Sequence, residues 1–97
     1  MNPIYIARSP HIAESRLGDE AVVMSARDSR IFSLNEQAAS IWWAADGITP
    51  LSEIVQKAIV AVYDVDLETA YADTLQFVNE LAARGILTVA AQPISTA

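Results

Sequence analysis

The chain has no cysteine, which removes disulfides, thiolate nucleophiles and sulfur-ligated zinc together. Its single histidine, His11, sits near the N-terminal edge with no motif partner, so imidazole acid–base chemistry has one isolated candidate, better read as a surface or strand-edge residue. The three glycines, Gly18, Gly47 and Gly85, each fall at a boundary between elements, where turn or cap geometry accounts for them, and no Gly-rich phosphate loop can be built from them. No segment approaches the roughly 20 apolar residues of a membrane span. The segment from Met1 to Pro10 lacks an apolar run behind a basic region, so no anchor or export signal is expected and a cytoplasmic setting fits.

Positive charge is also scarce. Six Lys and Arg stand against twelve Asp and Glu, a net charge of -6, and the positives are scattered as Arg8, Arg16, Arg27, Arg30, Lys57 and Arg84. Nucleic-acid binding draws much of its affinity from clustered cations, so such a surface argues against it. Twelve carboxylates in a short chain form close pairs by chance, and no catalytic pair follows from their number. Asp64, Asp66 and Glu68 loosely resemble the start of a calcium loop but lack its central glycine and closing glutamate, and helix capping explains them better. No catalytic residue, metal site or cofactor is expected.

What is present is an apolar set large enough for one small core. Of the 97 residues, 51 are apolar and 17 of those are alanine, which describes a single domain over 1–97, with a core of about 11–89, and excludes a large substrate cavity. Prolines at both ends of Met1–Pro10 point to an edge or flexible arm, and Ala90 to Ala97 reads as a fraying tail. Ile12–Leu17 reads as a first strand closed by Gly18-Asp19; Ala21–Ser25 and Ile31–Leu34 then form a hairpin. In its second strand Phe32 and Leu34 share the face predicted to meet the core, and Ile31 and Ser33 point outward.

Beyond Leu34 the apolar period lengthens from two to about 3.6. Asn35 caps a first helix with Ala38, Ile41, Trp42 and Ala45 on one stripe, ending near Asp46-Gly47. Thr49-Pro50 supplies a cap and first residue for a second helix, whose apolar face is Leu51, Ile54, Val55, Ala58, Ile59 and Val62 and which closes near Tyr63. Asp66 caps a third, running to Arg84 before Gly85. Its residues Leu67, Tyr71, Leu75, Phe77, Val78 and Leu81, with Ala70, Thr74 and Ala82, cover an arc of about 160°, wider than a surface helix needs. Ile86–Val89 is a final extended piece. The order predicts an α+β layout: a small N-terminal antiparallel sheet of three strands followed by three helices.

Two features combine into a binding expectation. The strand Ile31–Leu34 lies at a candidate sheet edge, and the third helix has apolar surface to spare, so an extended peptide could add as a further strand with its side chains on the helix. A second copy of the chain, or the N-terminal arm, is the alternative occupant. Neighbours on a helix point about 100° apart, so Trp42 and Trp43 cannot both face inward. Trp42 belongs to the apolar stripe; Trp43 either covers a neighbouring loop or contacts a protein partner.

The run Phe32 to Trp42 (Phe-Ser-Leu-Asn-Glu-Gln-Ala-Ala-Ser-Ile-Trp), then Asp46-Gly47, Thr49-Pro50-Leu51, Ile54-Val55, Tyr63-Asp64-Val65, Asp73, Phe77, Leu81 and Gly85-Ile86-Leu87, resembles the PqqD-like family over about residues 11–89. The resemblance implies a winged-helix-like domain that acts as a recognition element for ribosomally made, modified peptides: a chaperone and not an enzyme. It would bind the leader of a precursor peptide between the third strand and third helix and present it to a modifying enzyme, a radical SAM protein in pyrroloquinoline quinone biosynthesis. Carried over by position, the strand side is Arg30, Ile31, Phe32, Ser33 and Leu34, acting mainly through backbone groups. On the helix, the matching apolar positions Thr74, Phe77, Val78 and Leu81 read as core, so Tyr71, Leu75, Val78 and Asn79 are the expected flank, and Asp73, Gln76 and Glu80 the competing one. Trp43-Ala44-Ala45 and the Tyr5-containing arm depart from the family pattern and leave the pathway open. A winged-helix DNA-binding or regulatory module fits the helix order but not the charge.

Overall fold

A computed structural model describes residues 3–94; the outermost parts of the expected arm and tail, 1–2 and 95–97, lie outside them. Among the described residues the order is β1 (Tyr5–Arg8), β2 (Ile12–Leu17), β3 (Glu20–Ser25), β4 (Ile31–Leu34), α1 (Glu36–Ala44), β5 (Asp46–Pro50), α2, α3 (Leu67–Ala83) and β6 (Leu87–Ala90). Helix α2 runs through Leu51–Val55, a π-helical turn Gln56–Val60 and Ala61–Tyr63. The chain is α+β, and the expected three strands before three helices are β2, β3 and β4 before α1, α2 and α3. They form an antiparallel sheet of order β2-β3-β4, with Met24 opposite Ile31, Val23 opposite Phe32 and Ala21 opposite Leu34. The core gathers Trp42 of α1, Leu51 and Val55 of α2, Val78 of α3, Val23 of β3, Ile6 and Ile86, all with under 2% exposure.

A second antiparallel sheet, of order β5-β1-β6, was not expected. The supposed N-terminal arm supplies its middle strand: Ile6 and Ala7 are buried, and Tyr5 to Arg8 pair with Ala90 to Leu87 on one side and with β5 on the other. The prolines flank this strand without entering it, so its amides remain free to donate. Strand β5 occupies the stretch where helix end and helix cap were expected. Thr49 donates its hydroxyl to Asp46 Oδ2 at 2.8 Å and does not cap α2, whose first amide, Leu51 N, instead donates to the Ile4 carbonyl at 2.8 Å. Gly47 in β5 has φ +81°, and Ile94 N donates to its carbonyl at 2.7 Å. A Cβ there would stand 2.8 Å from the Ile94 carbonyl oxygen, so only glycine lets the chain beyond β6 lie along β5.

The caps of α1 and α3 form as the sequence predicts. Asn35 Oδ1 accepts from Ala38 N at 2.9 Å, and the Asp66 carboxylate accepts from Thr69 N at 3.0 Å and from the Thr69 hydroxyl at 2.6 Å. At the far end of α3, Gly85 N donates to the Ala82 carbonyl and Ile86 N to the Leu81 carbonyl, a Schellman closure with Ile86 buried beyond it. The apolar face of α2 does not run straight. Its π-helical turn takes an extra residue per turn and shifts the phase of the residues after it, so Val62, expected on the buried face, is 64% exposed.

Candidate functional site

Among the described residues strand β4 pairs with β3 on one side only, and its other side is a border of the sheet. Ser25 N donates to the Arg30 carbonyl at 2.9 Å, which makes Ser25 and Arg30 a hydrogen-bonded pair. Alternation along an antiparallel ladder then turns the amides and carbonyls of Phe32 and Leu34 towards β3, and those of Ile31 and Ser33 outward. The side chains alternate as expected: Leu34 is buried and Phe32 half-buried, while Ser33 is exposed and Ile31 is 66% exposed. Ile31 and its cross-strand neighbour Met24 leave an apolar spot beside this border. Ile94, beyond β6, lies against Gly47 of β5 and not against β4.

Helix α3 reaches this region at two points. Near its C-terminus the Arg84 guanidinium sits 5.5 Å from the centre of the Phe32 ring, and Arg27 lies beside Gly85. Further back, Thr69, Asp73 and Phe77 of α3 face Asn35, Ala38 and Ile41 across a depression of about 210 Å³, deepened by Ile59 from the π-helical turn of α2. That is below the roughly 300–1,000 Å³ of small-molecule sites and suits one side chain of an extended ligand better than a whole metabolite. Asp73, Phe77 and Arg84 are spaced four and seven residues apart, so one stripe of α3 runs from this depression towards Phe32.

Of the helix residues expected on the peptide side, Tyr71 and Val78 are buried in the core, at 8% and 0% exposure. Leu75 and Asn79 line a shallow surface with Gln76 and Glu80. Each is two positions from Phe77, about 200° around the helix from the depression. The structure therefore brings Asp73, from the competing flank, into the depression, whereas Gln76 and Glu80 line the shallow surface with Leu75 and Asn79. Ala38, Ile41 and Ile59 line the depression too; the sequence marks them only as apolar stripe, which by itself reads as core.

Hydrogen bonds shift the titrations nearby. The amide of Arg30 first of all, with the Ser25 hydroxyl and the Arg30 charge, holds the Asp28 carboxyl below its ordinary value against the pull of desolvation. Burial raises Asp46, but the amides of Thr49 and Ile48 and the Thr49 hydroxyl together lower it further. The Thr69 hydroxyl and amide lower Asp66. These are turn and cap contacts. Among the described residues no group of three His, Asp or Glu side chains is placed to hold a metal ion, and no helix is long and apolar enough to cross a membrane.

The family profile for coenzyme PQQ synthesis protein D matches residues 20–87, from the start of β3 into β6 and well over half of the chain. The chain belongs to the PqqD family. Among solved structures, the PqqD fold seen here is similar to that of TbiB1 in complex with the TbiA(beta) leader peptide, with a TM-score of 0.76 and 28% sequence identity over 84% of this chain and 93% of that one. No curated protein matches. The match to TbiB1 is broader than the PqqD profile.

Proposed function

We propose that this protein is a non-enzymatic recognition element that binds the leader of a ribosomally made precursor peptide as a fourth strand on β4 and presents it to a modifying enzyme. The carrying observation is the unpaired outer border of β4, with the amides of Ile31 and Ser33 turned outward, beside a depression between α1 and α3. Backbone pairing would supply sequence-independent affinity, and alternate peptide side chains would reach Phe77, Ile41 and Ala38 or the Phe32–Arg84 end. Membership of the PqqD family and the likeness to a leader-bound TbiB1 support this reading. The helix side of the site is then Thr69, Asp73 and Phe77, with Tyr71 and Val78 acting from the core. The enzyme served and the pathway, pyrroloquinoline quinone or another modified peptide, follow from the gene neighbourhood.

Calorimetric titration with synthetic leaders of precursor peptides encoded beside the gene tests this. Saturable binding that falls at least about tenfold in Ile31→Pro, which removes an outward donor and fixes φ, is expected. Unchanged affinity in that variant would rule out strand addition at β4. Light scattering at the titration concentration separates peptide capture from self-pairing, because a second copy on β4 doubles the mass and weakens peptide binding as protein concentration rises.

A further inference from the structure

Trp43 is half-buried on the side of α1 turned about 200° from Ile41, away from the β4 depression. Two guanidinium groups stand over its ring: Arg16 of β2 at 4.6 Å and Arg8 of β1 at 5.6 Å. The neighbouring carboxylates are already engaged. Glu14 accepts from Trp42 Nε1 at 2.7 Å and meets Arg8 Nη1 at 3.6 Å. Asp46, which lines a shallow hollow beside Trp43 with Lys57, accepts from the amides of Ile48 and Thr49 and from the Thr49 hydroxyl. Arg16 makes no ion pair among the described residues. Its guanidinium therefore lies over the indole with no acceptor among the described residues, on a chain whose net charge is -6.

We propose that the Trp43–Arg16–Arg8 surface docks an acidic segment of a second protein, with a carboxylate on the guanidinium donors and an adjacent apolar side chain on the open part of the indole. Guanidinium groups match carboxylates in a planar, two-pronged geometry, and stacking on the indole fixes them before binding, which lowers the ordering cost. A nucleic acid would bring its whole phosphate ladder against twelve carboxylates, whereas a short acidic segment meets only the local cations. Strands β2 and β4 are opposite borders of one sheet, so an occupant here leaves β4 open. The surface stands whether or not β4 takes a leader.

The test is an NMR titration of the isotope-labelled full chain at low salt with a blocked synthetic pentapeptide, Glu-Asp-Leu-Glu-Asp, and with its lysine counterpart. Saturable shifts of the Trp43 indole N–H and the Arg16 and Arg8 signals are expected with the acidic peptide alone. They should weaken at least about tenfold in Arg16→Glu and persist in Ile31→Pro. Arg16→Gln serves if Arg16→Glu disturbs the amide pattern elsewhere. Absence of saturable shifts, shifts confined to Arg30 and Arg84, equal binding of the lysine peptide, or indifference to both Arg16 variants would each overturn the proposal. A leader that fails to bind at β4 leaves these signals unaffected, so the two failures are distinct.

Discussion

The two borders of the β2-β3-β4 sheet are finished differently. Along β2, Glu14 reaches over to the Trp42 indole and Arg8, and Arg16 lies on Trp43, so charged side chains flank that border and are tied to α1. Along β4 the outward positions are Ile31 and Ser33, uncharged, with Met24 beside them. Charges on an edge strand discourage another strand from adding, and β4 lacks that protection. In the second sheet, Ile94 hydrogen-bonds along β5. The first sheet thus has one border flanked by charged side chains and one without them.

The comparison breaks most sharply at adjacent positions of β4. Phe32→Pro removes an amide that pairs with β3 and should lower stability by about 3 kcal/mol or more in urea unfolding, whereas Ile31→Pro, with its amide outward, should cost much less and act mainly on peptide binding. Equal stability losses would mean that the alternation is wrong. At the β2 border, Glu14→Ala leaves the indole N–H of a fully buried Trp42 without its acceptor and should cost about 1–3 kcal/mol, with Glu14→Gln recovering part of it. Between β4 and α3, Arg84→Ala removes the contact on Phe32 and should cost about 0.5–1 kcal/mol, with a small loss of leader affinity.

The smallest effect is expected from acid. Asp28, at the turn leading into β4, and Asp66, capping α3, both titrate below their ordinary values in the folded chain. A depressed carboxylate contributes stability that is complete above the unfolded-state value and lost as pH falls through the folded one. Stability should therefore be flat near neutrality and decline below the ordinary carboxylate range. In Asp66→Asn, which keeps a capping side chain, that decline should be shallower by thermal unfolding.

Much of the fold could be read locally. Asn35 and Asp66 announce two helix starts because their short side chains bond amides two or three residues on, and Gly85 announces a helix end because the closure needs a positive φ. The inward Phe32 and Leu34 and outward Ile31 and Ser33 follow from the period of a strand. The second sheet was not legible, since Tyr5–Arg8 finds its partners in the middle and at the far end of the chain. Nor was the helix flank at the site: Tyr71, Leu75, Phe77 and Val78 are all apolar, and only the tertiary packing of α3 buries Tyr71 and Val78 and leaves Phe77 at the depression.

By itself the sequence determined the α+β order, the caps of α1 and α3, the strand beside which a peptide is proposed to lie, and the exclusion of sulfur chemistry, because each depends on residue types and spacings within a few positions. The tertiary structure alone decided which border of the sheet stays open, which stripe of α3 turns towards it, and that Trp43 carries two guanidinium groups. Those outcomes depend on how distant segments meet, and residue spacing within one segment carries no information about the other.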